Sequence, residues 1–218
     1  MTPLEIYGWA CAILSSVAGI PQLLRLVRSR TSAGASLVMW QVTVAVTGTW
    51  IVHGVLTGAP NLILANGVAC LLGLLVLWFV RADRHLSIVR TFAAPLAGIV
   101  VMVATDLWNP VVFGALISIP QLFGGIAQFL DLLRCRDIRG VSIGFLGYQV
   151  FVQVIWFVWG TWAGDISLQM AAGSFFVICL LNAVWWLLRR NGLVRARGPQ
   201  PDDGLVEPSV RTPAAPTA

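Results

Sequence analysis

The stretch from Gly19 to Gly67 occurs twice in this chain. Displaced by 106 positions and without a gap, it lies over Gly125 to Gly173. Gly19, Ile20, Gln22, Leu24, Leu26, Arg28, Arg30, Gly34 and Ser36 meet identical residues at 125, 126, 128, 130, 132, 134, 136, 140 and 142. Further on, Trp50 falls on Trp156, and Gly54, Gly58, Leu62, Ala65 and Gly67 fall on Gly160, Gly164, Leu168, Ala171 and Gly173. An ungapped match that includes a tryptophan and several glycines exceeds what shared composition produces, so the chain is an internal duplication.

The duplicated unit is a membrane unit. With 58% apolar and 11% charged residues and a mean hydropathy of +0.84, the chain cannot hide its apolar surface within a water-soluble globule. A span needs about 20 apolar residues, and seven segments qualify: Leu4 to Val27, Ser36 to Leu56, Asn61 to Val80, Leu86 to Thr105, Val111 to Leu133, Val141 to Trp162 and Ile166 to Leu188. The net charge of +5 is carried by arginine alone, beside apolar runs, which points to the membrane surface and away from nucleic acid. Cys11, Cys70, Cys135 and Cys179 lack metal-ligand spacing and read as packing residues. No basic segment or cleavage site accompanies the first apolar run, which reads as a retained helix. The tail, rich in proline, glycine, alanine and charge, is expected to be disordered.

Arginines orient the spans. They follow helix 1 (Arg25, Arg28, Arg30), flank the junction of helices 3 and 4 (Arg81, Arg84, Arg90), follow helix 5 (Arg134, Arg136, Arg139) and follow helix 7, all on one side of a seven-helix chain. The opposite loops hold Asp106 and Asp165. The positive-inside rule then places the N-terminus outside and the C-terminus in the cytoplasm. A three-helix unit ends on the side opposite its start, so a direct tandem copy would be inverted. One extra span, helix 4, restores the orientation. The fold class is therefore all-α integral membrane, three plus one plus three: residues 1–83, a linker helix in 84–107, 108–190, and a tail 191–218.

Polar residues inside the spans are the candidates for function. Pro21, followed by Gln22, removes a backbone hydrogen bond inside helix 1 and is read as a hinge. Its aligned partner is Ala127, followed by Gln128. A second proline–glutamine pair, Pro120 and Gln121, lies seven residues earlier, about 10 Å along the axis, so two bends would sit at different depths. Thr43, Thr47 and Trp50 share one helix face, and the equivalent set is Gln149, Gln153 and Trp156. Two such stripes facing one axis would line a cavity for a small polar ligand. Asn66, in an apolar run on helix 3, is either glue between helices or a ligand contact, and the second copy has Ala172 in its place. The missing amide is expected to come from Gln149 or Gln153. Trp40, Trp78, Trp108, Trp162, Trp185 and Trp186 read as interface anchors.

The segments IPQLLRLV, TWIVHG and APNLILANG resemble the repeat of the SWEET and SemiSWEET sugar transporters of the PQ-loop family, one of the folds built from parallel repeats. The resemblance covers both copies and leaves out helix 4 and the tail. It implies a hinge at Pro21 and Gln22, and a sugar held by Trp50, Trp156 and Asn66; the stripes read from helical spacing set Gln149, Gln153 and Thr47 beside them. It also implies an outer gate at His53, Trp159 and Asp165.

No carboxylate lies near the middle of a helix, which favours uncoupled transport and argues against the proton-coupled members of that family. His53 and His85 lie far apart, with no acids or thiols clustered around them in sequence, so neither a metal site, a cofactor nor enzymatic catalysis is expected. The sequence thus points to facilitative transport, by alternating access, of a small neutral solute such as a mono- or disaccharide, in a bacterial plasma membrane. A neutral amino acid or metabolite as cargo, and a receptor or scaffold on the same fold, are the alternatives. Self-association is left open.

Overall fold

Helix starts fall where the local chemistry puts them. Ser36 Oγ accepts from Met39 N–H at 3.2 Å, Ser87 Oγ from Arg90 N–H at 3.2 Å, and Asp165 Oδ1 from Leu168 N–H at 2.9 Å. Each satisfies a donor that a helix leaves orphaned at its N-terminus. Pro60 and Pro110 open two further helices, where their missing N–H costs nothing. The computed structural model describes residues 1–16, 28, 32, 36–134, 138 and 141–195.

Seven α-helices make up the described chain: α1 (Pro3–Ser16), α2 (Leu37–Thr57), α3 (Pro60–Asp83), α4 (Ile88–Trp108), α5 (Pro110–Arg134), α6 (Ile143–Ala163) and α7 (Ile166–Arg190). The six from α2 to α7 are long and apolar enough to cross a membrane. The all-helical membrane architecture expected from the sequence is borne out. The first expected span continues beyond α1 into residues 17–27, and the expected hinge residues Pro21 and Gln22 lie outside the described residues, as does the tail from 196 on.

Equivalent turns join α2 to α3 and α6 to α7. Gly58 (φ 68°) and Gly164 (φ 74°), 106 residues apart, close their helices in the left-handed conformation that glycine adopts without strain. The following residues bond back in the same way, Ala59 N–H to Gly54 O and Asp165 N–H to Gly160 O, each at 2.8 Å.

Packing follows the duplication. The first helix lies against α3 and α6, α2 against α3 and α4, and α7 against α5 and α6. The fourth helix docks on α2 through small residues: a Cβ added at Gly48 would stand 2.6 Å from Ile99 Cδ1, and one at Gly98 would stand 3.1 Å from Ala45 Cβ. Gln41 Nε2 fastens the start of α4 by donating to Arg90 O at 2.8 Å and Thr91 O at 3.0 Å. The second copy has Val154 and Phe151 where the first has Gly48 and Ala45, and both are exposed on the outer surface. Small residues stand where a helix must approach closely and bulky ones where lipid would.

Among the described residues the core forms one cluster at one end and two at the other. Around the N-terminal face, one buried cluster draws Cys11 and Ala12 of α1 together with Trp50, Leu62, Phe113, Trp156, Trp159 and Leu168. Toward the opposite face, the buried residues fall into two separate clusters. One contains Trp40, Val76, Leu77 and Val80, and the other Leu146, Ala183 and Trp186. These clusters are copies of each other. Trp40 matches Leu146 and Val80 matches Trp186, so the indole has changed helix while the filled space is kept. Trp40 and Trp186 are therefore core residues and not the interface anchors expected, because each fills the gap between its two helices.

Candidate functional site

Midway along the helices lies a cavity of about 220 Å³, walled in matched pairs. Ser15 and Gln121, Val46 and Val152, Thr47 and Gln153, Trp50 and Trp156, Leu62 and Leu168, Ala65 and Ala171, and Asn66 and Ala172 all line it. Every pair is 106 residues apart. The register read from sequence is thus also the register in which the two copies face each other.

The lining combines two indoles with five polar side chains, Ser15, Thr47, Asn66, Gln121 and Gln153. Flat aromatic faces and uncharged hydrogen-bonding groups suit a small neutral polar solute, and the volume lies below the ~300–1,000 Å³ of drug-sized sites. Some polar atoms already have partners. Thr47 Oγ1 donates to Thr43 O at 2.8 Å, Asn66 Nδ2 to Leu62 O at 3.1 Å, and Ser15 Oγ to Cys11 O at 2.6 Å. Such bonds within one turn keep a side chain satisfied in an apolar setting until a ligand offers a better partner.

Trp50, Trp156, Thr47, Asn66 and Gln153 meet at this cavity, whereas Gln149 does not. One helical turn from Gln153 toward the opposite face, it stops short of the walls. Gln121, expected at a hinge, is in the lining, on the same level as Ser15. Its neighbour Pro120 is turned to the other side, into a second cavity of about 420 Å³ between α2, α4 and α5. That larger space is almost wholly apolar and has no convergent polar groups to orient a solute. The fifth helix runs as one α-helix through Pro120, and Gln128 lies beyond the cavity.

Of the expected gate residues, His53 and Trp159 are buried above the indoles and Asp165 is half-buried beside them. His53 stacks edge-on against Trp50 with centroids 5.2 Å apart and lies 5.2 Å from the ring of Phe113. Trp156 and Trp159 pack edge to face at 6.0 Å. A Cβ added at Gly8 would stand 2.5 Å from Trp159 Nε1 and 2.6 Å from Asn61 Nδ2, so glycine is what lets α1 cross here. The equivalent crossing is at Gly114, where a Cβ would stand 2.6 Å from Ser167 O.

Spacing along the chain shows no acids clustered around His53, and of the two the structure places there only Asp165 was expected near it, through the resemblance. His53 Nδ1 is 2.7 Å from Asp106 Oδ2 and His53 Nε2 is 3.1 Å from Asp165 Oδ2. The acids come from helix ends 53 and 112 residues away, so proximity along the chain could not reveal them. They lie on opposite edges of the ring and do not converge on one point, and no metal-holding group is found among the described residues. A second residue missed in the sequence is Asn182. It is buried on α7 and donates to Gly125 O at 3.0 Å and Ile178 O at 2.9 Å, gluing α7 to α5.

Comparison with known proteins gives one informative relative. Over 76 residues the chain is 34% identical to a protein of Bradyrhizobium diazoefficiens described as "Sugar transporter SemiSWEET", a match covering 34% of this chain and 88% of that protein. That relative is thus about as long as one three-helix copy here. No family model matches the chain.

Proposed function

The chain belongs to the SWEET and SemiSWEET family of sugar transporters, and on that footing we propose that it carries a small neutral sugar across the membrane by facilitative alternating access. The cavity supports this reading. It is uncharged, faced by two indoles, and lined by equivalent residues of both copies, as a site between two rocking units requires. Trp50 and Trp156 would sandwich the apolar faces of a sugar ring. Asn66, Gln121 and Gln153 would bond its hydroxyls, with Gln121 and Gln153 making good the amide lost at Ala172.

The joined core at the N-terminal face supports a state. The joined cluster at the N-terminal face closes that side. With the N-terminus outside, as the arginines suggest, this is the outward-closed form. His53, Trp159 and Asp165 act as the outer gate. Pro21 and Pro120 are proposed as bending points for the return to the other form.

Uptake of labelled mono- and disaccharides into liposomes containing the purified protein tests the reading, with Trp50→Ala and Asn66→Ala as controls. Saturable uptake lost in both variants supports it. Uptake no faster than in empty vesicles, across the sugar panel, removes the sugar assignment. A parallel panel of neutral amino acids separates a different cargo from a protein that binds without transporting.

A further inference from the structure

We propose that His53, Asp106 and Asp165 form a proton-binding site that latches the gate at the N-terminal face, so that pH on that face sets how readily the gate opens. The proposal deepens the gate assignment made above and rests on it. Three observations carry it.

First, the geometry counts protons. Both ring nitrogens of His53 are within hydrogen-bond distance of carboxylate oxygens, at 2.7 and 3.1 Å. A neutral imidazole has one N–H and one lone pair, so it can donate to only one carboxylate. Both contacts are favourable only when the cluster holds one proton more than a neutral histidine with two carboxylates. That proton sits on the ring or on one acid. Without it, a lone pair faces an anion in a site where the side chains are 4 to 7% exposed, and the contact is repulsive.

Second, the cluster joins bodies that must part. His53 is on α2 and Asp106 on α4, which dock together. Asp165 precedes α7, in the other half of the molecule. Opening this face separates His53 from Asp165 and leaves His53–Asp106 intact. A single contact needs no extra proton, so the open form holds the proton less tightly than the closed form. By linkage, protonation stabilises the closed form, and the latch weakens as pH rises.

Third, the proton has one exit. Trp50 and Phe113 pack against His53 and form a floor between the cluster and the sugar cavity. Among the described residues, the ion-pair partner of both acids is His53. On α3, Cys70 lies at mid-helix and Arg81 and Asp83 at the far end; the ionisable side chains of α7 (Cys179, Arg189, Arg190) lie in the half away from this face, and those of α5 (Asp131, Arg134) at its far end. Glu5 of α1 is occupied by Thr2 N–H at 2.7 Å. A proton lost on opening and regained on closing through the same face is not carried across. The site therefore gates transport without letting a proton gradient drive it.

The test reads the gate and not sugar movement, so it stands apart from the uptake assay above. Spin labels at Leu56→Cys on α2 and Thr161→Cys on α6, with the four native cysteines replaced by alanine, report the width of the N-terminal face by pulsed-EPR distance measurement. Between about pH 5 and about pH 9, which brackets histidine titration, the long-distance population should rise at least about fivefold. Asp165→Asn keeps the cap on Leu168 N–H and removes the charge, and it should make the distribution independent of pH. His53→Gln should do the same. A distribution unchanged by pH in the otherwise native protein overturns the proposal. So does a pH response that persists in Asp165→Asn, the variant that decides the matter should His53→Gln fail to fold.

Discussion

Ala172 holds in the second copy the place that Asn66 holds in the first, and both residues line one cavity. The duplication thus built a symmetric chamber whose polar groups are no longer symmetric. One side keeps its asparagine on α3, while the other offers glutamines on α5 and α6. The two ends of the cavity thus present different hydrogen-bonding groups.

Asn66→Ala and Gln153→Ala should impair sugar binding to a similar degree. Each removes one amide, and a net hydrogen bond is worth about 1 kcal/mol, or roughly fivefold in affinity. Gln121→Ala should match them, and Gln149→Ala should leave affinity unchanged. Titration of labelled sugar uptake measures all four. Gln149→Ala weakening uptake as much as Gln121→Ala would show that the cavity walls are wrongly drawn.

Gly114→Ala should destabilise the protein more than Gly8→Ala. At Gly114 the new methyl meets the backbone of Ser167, which cannot swing aside, whereas at Gly8 it meets the ends of the Trp159 and Asn61 side chains. Overpacking costs about 1–3 kcal/mol, and the larger figure is expected for Gly114. Gly67→Ala, with nothing within 4 Å of the added Cβ, should be neutral or slightly stabilising. Melting temperatures in detergent rank the three, and equal losses at Gly67 and Gly114 would refute the ranking.

Trp40→Leu should cost about 2 kcal/mol by leaving a cavity between α2 and α3. Adding Val80→Trp should recover most of that loss, since the pair then reproduces Leu146 and Trp186 of the other copy. The single changes are each harmful and the double change is not, so the cycle should show strong coupling. Additive destabilisation would mean that the two cores are not interchangeable.

Gly48→Leu should detach α4 from α2. Its side chain would strike Ile99 of α4, while the equivalent Val154 already carries bulk on an open surface. Val154→Leu is the control. Proteolysis or solvent labelling at the α4–α5 junction should increase for Gly48→Leu alone.

Much of this molecule could be read before any coordinates. Trp50 and Trp156 identify each other by register, and the same displacement of 106 pairs Gln121 with Ser15, a pairing overlooked because Pro120 drew attention to a hinge. Gln149 misled for a local reason. Helical periodicity states which residues share a face, but not how far along that face the cavity extends.

Apolar runs about 20 residues long, an ungapped repeat and the positions of the arginines follow from chain chemistry alone, and with them come the six long apolar helices, two like units and a site lined twice. Such features are local or periodic, and a linear text records them fully. Which helix ends meet is another matter. His53 reaches Asp106 and Asp165 only because α2, α4 and the turn before α7 converge at one face. That convergence is set by the packing of Gly48 on Ile99 and by Gly8 and Gly114 at the two crossings. It brought together three ionisable groups that lie far apart in the chain, and so tertiary structure alone decided that His53 stands between two acids.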